Sequence, residues 1–470
     1  MELVHQTKII WAINSQGLNS ELAQELAKKR HLGAIMITYQ PLFHQNIRDF
    51  IARIDNILAD DESTIPIILD VGGVWRHRVA FGLNAKKEVV VGQLVSFSKK
   101  IDQDFIPMES ASWDSFKEGI QIYLGYGAVV LKVKEKDQEK ITMEVLQGGI
   151  IEPGMDLHMP YDKAMLDLDF DQIDLASLAK LGVAGFILPA FNLHEIAKVK
   201  ASLMNKEGDR PWILARVDDK SIYDNINNVL DVVDGIFVSR RELALSTEAA
   251  TIPMVCKELS RLCSNKAKLV VISSEILSSM KQSPTPTRAE GSDIANAVLD
   301  GVDALVLAED IALGKYSDKA LVVCQNIIED IEKHSEKPLN WQKAELATTN
   351  DLETISYHAY KTAERLKAKA IVCITRFGNT ALRLSSFKGK IPIVAVTFSK
   401  KTKKRLSLIR GVYPLVLDIA PNLDEVLPTV NDHLKQEGWL SIGDKIVFVT
   451  VSLSPVSMEA SNLFTVQSLY

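Results

Sequence analysis

The chain has 470 residues, 47% of them hydrophobic and 24% charged, a balance ordinary for a soluble globular protein, and it is too long for a single core, so two or three domains are expected. With 54 Lys and Arg against 60 Asp and Glu the formal charge is −6, which offers nucleic acid no basic field, and no uninterrupted apolar run is long enough to span a bilayer. Cys256, Cys263, Cys324 and Cys373 are widely spaced without a CxxC pair, and MELVHQTKII lacks a basic region followed by an apolar stretch, so reduced, mostly buried thiols in a cytoplasmic protein are expected.

From the first residues, short apolar runs alternate with amphipathic stretches in the manner of βα units. Strands are predicted at Lys8–Ile13, Ala34–Tyr39 and Pro66–Val71. Between Trp75 and Met159 the texture changes: Gly92, Gly119, Gly125, Gly127, Gly148, Gly149 and Gly154 punctuate short runs such as QLVSFS and AVVLKV, the look of a small inserted β-domain. The alternation resumes with strands at Val183–Leu188, Trp212–Val217, Gly235–Ser239, Leu269–Ser273 and Asp303–Leu307. Eight strands in that order fit a TIM (β/α)8 barrel. Before the eighth, Pro284 and Pro286 hold the chain extended, and Thr287 with Glu290 three residues later is a capping-box signature. It opens a helix with an apolar stripe of Ile294, Ala297 and Val298, which Gly301 ends. The charged segment IEDIEKHSEKPLNWQKAE reads as a helix end and a connection. From about Leu352 a second α/β pattern follows, with strands at AIVCIT, IPIVAV, YPLVLD and KIVFVTV. The expected division is a discontinuous barrel at 1–74 and 160–340, an inserted domain at 75–159 and a C-terminal α/β domain at 350–470.

One stretch is more specific than any periodicity. PTRAEGSDIANAVLDG, from Pro286, closely resembles the pyruvate kinase signature PTRAEGSDVANAVLDG. Elsewhere TKIIWAI resembles the family's TKIVCTIGP, IILDVGG its LLDTKGP, ILARVDD its SKIEN, GIFVSRRELA its GIMVARGDLG, and RGVYP its KGVVP, in the family's order and at compatible spacings. By this resemblance over essentially its whole length, the chain is identified as a member of the pyruvate kinase family. The resemblance implies a barrel with an inserted small β-barrel domain and a C-terminal effector-like α/β domain. It also implies a homo-oligomer, by family habit a tetramer, acting in glycolysis on phosphoenolpyruvate and ADP with Mg²⁺ and K⁺, and no nucleic acid or membrane as partner.

In a TIM barrel the loops after the strands carry the reaction. Carried over position by position, the family's site is altered at many of them. Met36 stands where the resemblance places a phosphate-binding arginine, Thr38 at an asparagine and Gln40 at a serine that bind potassium. Asp70 keeps the family's aspartate, while Val71 and Gly72 replace its threonine and lysine. Arg216 takes the catalytic lysine's place, Asp218 that of a metal-binding glutamate and Glu242 that of a metal-binding aspartate. Asp218, Glu242 and Asp70 are therefore the candidate metal ligands, with solvated charges or an internal Arg216–Asp218 pair as the alternative; Asp70 alternatively caps a neighbouring backbone. Ser239, Arg240 and Arg241 fall in the substrate-binding segment, and Arg241, at a family glycine, either fills the pocket or brings positive charge into it. Ser274 keeps a hydroxyl at the catalytic threonine. In the C-terminal domain Thr375, Gly378, Asn379 and Thr380 resemble an effector-phosphate loop, while SLSPVSMEASN lacks the glycine-rich look of its partner loop. The Lys400–Arg405 cluster reads as a solvated helix face.

Loss of a guanidinium on a transferring phosphoryl group costs on the order of 10³-fold in rate, about 4 kcal/mol. The expectation is thus a catalytically impaired or inactive homologue with a binding or regulatory role, weak Mg²⁺ binding that depends on Asp218 and Glu242, and no K⁺ requirement. The alternative is an active pyruvate kinase with a site rebuilt from Arg216, Asp218, Glu242 and Ser274.

Overall fold

The computed structural model of the chain describes residues 6–13, 32–39, 47–60, 65–72, 77–79, 86–99, 105–110, 113–125, 127–159, 170, 173–206, 209–312, 314–335, 351–417, 423–450 and 463–468. Eight parallel strands close a barrel: β1 Lys8–Ile13, β2 Leu32–Thr38, β3 Ile67–Asp70, β13 Val183–Pro189, β14 Trp212–Val217, β15 Gly235–Ser239, β16 Leu269–Ser273 and β17 Ala304–Leu307. Each pairs with its chain neighbour in the barrel, and β1 pairs with β17 to complete the ring. The strands read as apolar runs because both faces are covered. Ile9, Trp11, Ile35, Ile37, Ile67 and Leu69 face the surrounding helices. The alternate positions, among them Ile10, Met36, Ile68, Leu214, Phe237 and Val271, fill the interior in a cluster continuous with the C-terminal domain. The helix after the signature prolines spans Arg288–Leu299 with its complete capping box from Thr287 and Glu290, and Gly301 supplies the positive φ of +78° that turns the chain back.

Between β3 and β13, strands β4–β12 lie within His77–His158. Seven of them close a second, smaller barrel, and β5 (Lys87–Val89) and β11 (Gly149–Ile151) form a two-stranded sheet. Its core of Phe97, Phe116, Leu131, Ile141 and Met143 is separate from that of the large barrel. The C-terminal sheet runs in the order β20 (Val412–Val416), β19 (Ile393–Thr397), β18 (Ala370–Ile374), β21 (Lys445–Thr450), β22 (Leu463–Ser468). The last strand, antiparallel to β21, was not predicted from the sequence, and Pro414 is tolerated because β20 is an edge. Among the described residues no helix is long and apolar enough to cross a membrane.

The C-terminal domain is bolted to the N-terminal mouth of the barrel. Lys388 and Asp303, 2% and 1% exposed, form an ion pair of 2.9 Å, and Asp303 also accepts the backbone N–H of Val270 at 2.9 Å. Arg410 bonds Thr7 at 2.6 Å and Glu332 at 3.3 Å. The Lys400–Arg405 cluster, expected to be solvated, is only half so. Lys400 and Lys401 are exposed, but Lys404 meets Asp55 at 2.5 Å and buried Arg405 pairs with Asp209 and lies over the Trp212 ring. A charge run cannot reveal a facing carboxylate that arrives from another domain. All four cysteines are free, three of them buried.

Candidate active site

The C-terminal ends of β3, β14, β15 and β16 place Asp70, Arg216, Ser239 and Ser274 around one space. Parallel register does this: Ile187 of β13 sits opposite Asp70, Pro189 opposite Arg216, and Ser239 opposite Ser273. Glu242 enters from the first turn of the helix Arg240–Ser246, where the helix N-terminus favours a carboxylate.

Arg216 is the centre. Its guanidinium donates from Nη1 to Asp70 Oδ2 at 2.7 Å, from Nε to Asp218 Oδ2 at 2.8 Å, and from Nη2 to Glu242 Oε1 at 3.0 Å and Ser239 Oγ at 3.2 Å. It is 4% exposed and lies over the Phe237 ring, 5.4 Å from its centroid. Ser239 in turn donates to Glu242 Oε2. The second oxygen of Asp70 accepts the Gly72 N–H at 2.9 Å, the expected backbone cap, while its other oxygen is held by Arg216 rather than by a metal. A Cβ at Gly72 would stand 3.0 Å from Asp70 Oδ1 and 3.1 Å from Arg216 Cδ, so the arginine leaves little room for a larger residue there.

Ser274 and Glu275 both adopt positive φ, +77° and +64°, a strained arrangement for residues other than glycine. Arg240 holds that turn. It donates to Ser274 O at 2.6 Å and makes a two-pronged pair with Asp293 at 2.6 and 2.7 Å. Burial works against its charge, but Asp293 prevails and raises its pKa above the usual value. The Ser274 hydroxyl lies 3.4 Å from that of Ser239.

The other predicted positions fall differently. Met36 is buried in the barrel interior among apolar side chains and carries no charge to the cleft. Thr38 ends β2 opposite Asp70, Val71 is buried, and Gln40 lies outside the described residues. Arg241 stands at the rim beside Glu275, 3.5 Å away, and both are partly exposed. In the C-terminal domain Thr375 is buried and its hydroxyl accepts the Gly378 N–H, while Gly378, at φ +96°, packs within reach of Trp212 and Leu406. Thr380 is buried and Asn379 exposed, so of the expected side-chain ligands only Thr375 is bonded within the loop, and SLSPVSMEASN lies outside the described residues.

The expected metal ligands do converge, but on Arg216. Asp70, Asp218 and Glu242 each give that side chain an oxygen, and among the described residues no group of three or more His, Cys, Asp or Glu is arranged to hold a metal ion. As arranged, the donor set does not fit a divalent cation. The sequence offers the Arg216–Asp218 pair only as an alternative to a metal site, and it does not point to Asp293, Phe237 or the role of Gly72. Asp293 lies 53 positions from Arg240, with no local pattern to link them.

A parallel barrel with an inserted β-barrel and a charged cluster at its C-terminal strand ends belongs to the class of barrel proteins that keep their chemistry at that face. Residues 4–321 match the family model described as "Pyruvate kinase, barrel domain" and residues 353–466 that described as "Pyruvate kinase, alpha/beta domain". The chain belongs to the pyruvate kinase family. It is 28% identical over 484 residues to a pyruvate kinase of Sporosarcina psychrophila, covering 98% of this chain and 80% of that one. To a pyruvate kinase of Thermotoga maritima it is 29% identical over 411 residues, 85% of this chain and 86% of that one. The crystal structure of a pyruvate kinase from Cryptosporidium parvum shares the fold with a TM-score of 0.82 at 23% identity, covering 99% of this chain and 96% of that one.

Proposed function

We propose that this member of the pyruvate kinase family transfers phosphate from phosphoenolpyruvate to ADP at least about 10³-fold more slowly than an ordinary member, and serves as a binding or regulatory homologue. One observation carries the reading: among the described residues Arg216, Arg240 and Arg241 at the strand ends are already matched to carboxylates of the chain, Arg216 to three, Arg240 to Asp293 and Arg241 to Glu275, while Met36 sits in the core where a fourth arginine is expected. A transferring phosphoryl group is stabilised by cations aimed at it before it arrives. Here an incoming phosphate would first have to take a guanidinium from its own carboxylates. Arg216 also stays protonated, so it cannot relay a proton.

A coupled assay of pyruvate production with the purified full chain tests this; a turnover within tenfold of ordinary pyruvate kinases would refute it. The strained, Arg240-pinned turn that presents the Ser274 hydroxyl favours a second reading, an active enzyme with a rebuilt site. In that case the same assay shows ordinary turnover and Ser274→Ala lowers it.

A further inference from the structure

Asp70 and Asp218 arrive from the ends of β3 and β14, and Glu242 from the helix after β15, into a nearly dry space, where their mutual repulsion needs a cation between them. We propose that the Arg216 guanidinium is that cation, built into the chain in place of a divalent ion, so that the cluster assembles without metal and excludes it.

Geometry separates a guanidinium from a metal as the centre. The three carboxylates are bonded to three different nitrogens, Nη1, Nε and Nη2, and are therefore spread around a planar fork rather than aimed at one point. Mg²⁺ demands oxygens converging in a near-octahedral shell at about 2.0–2.1 Å. The surroundings are fitted to an arginine as well. Phe237 lies against its face, Ser239 takes a further N–H, and the missing side chain of Gly72 leaves room for its stem. Its charge is also permanent, so the cation stays in the cluster at every working pH.

Removal of the guanidinium should therefore create the metal site that it now precludes. Mn²⁺ alone, titrated calorimetrically and by thermal shift into the full chain, reads binding independently of turnover. The wild type is expected to show no saturable binding below about 10 mM at this cluster, and Glu242→Gln should change nothing. Arg216→Ala should bind Mn²⁺ at least about 30-fold more tightly and be stabilised by it, the gain disappearing when Glu242→Gln is added. Arg216→Lys, whose ammonium lacks the planar fork, should gain less. Saturable wild-type binding that Glu242→Gln abolishes would overturn the proposal, and that arm decides even if Arg216→Ala fails to fold. Folded Arg216→Ala and Arg216→Lys that bind no better than wild type would overturn it too.

Discussion

The two mouths of the barrel both bury charge, and they do it in opposite styles. At the N-terminal mouth Lys388 meets one carboxylate, Asp303, whose remaining capacity is taken up by the backbone amide of Val270. At the C-terminal mouth, among the described residues, one guanidinium faces three carboxylates in a place only slightly exposed. A pair completed by backbone donors is what an interface needs to hold two domains in one register. Gathering like charges works against folding, so a chain retains such a cluster for what it binds or descends from, not for stability. The charge balance of a buried cluster thus distinguishes a bolt from a site.

Removing one carboxylate from each mouth should break the symmetry most visibly. Asp303→Asn leaves Lys388 buried and unpaired and should cost about 3–5 kcal/mol in denaturant unfolding. Glu242→Gln removes a like charge and leaves Arg216 with Asp70 and Asp218, so its effect should stay within about 1 kcal/mol of zero, or be stabilising. Equal losses at the two mouths would show that both are structural.

A smaller effect comes from pH. Burial pulls the Lys8 pKa from 10.5 down to about 8, against the attraction of Glu332, and its ammonium lies 5.0 Å from the Tyr413 ring centroid and bonds Val412 O at 3.2 Å. Because the folded pKa is the lower one, the unfolded chain binds the extra proton between pH 8 and 10.5, and the contribution of Lys8 to stability rises with pH across that window. The stability of wild type relative to Lys8→Met should therefore climb by up to about 2 kcal/mol over that range, and a flat difference would refute the assignment.

The smallest expected effect is none. Val71 has no side-chain oxygen, and Arg216 already supplies a fixed positive charge beside Asp70, so replacing Na⁺ by K⁺ at constant ionic strength should alter neither residual activity nor Tm. A clear rise in either would show that a monovalent site persists at the third strand.

Much of the frame was legible because it is local. β1, β14, β15 and β16 fall at the predicted residues, since apolar runs bounded by polar residues mark buried strands, and the capping box at Thr287 is written in four consecutive positions. β22 escaped because its half-buried edge position leaves only a weak pattern in LFTVQS. The altered positions at Met36, Arg216, Asp218, Glu242 and Arg241 were visible as residue types, and so was a choice between a metal site and an internal ion pair. Sequence alone determined which charges stand at the strand ends. Only the tertiary structure decided what they do there, because Asp70 and Arg216 are 146 positions apart and meet only when the barrel closes, and whether carboxylates converge on a point or surround a planar guanidinium is fixed by the direction of strands distant in the chain.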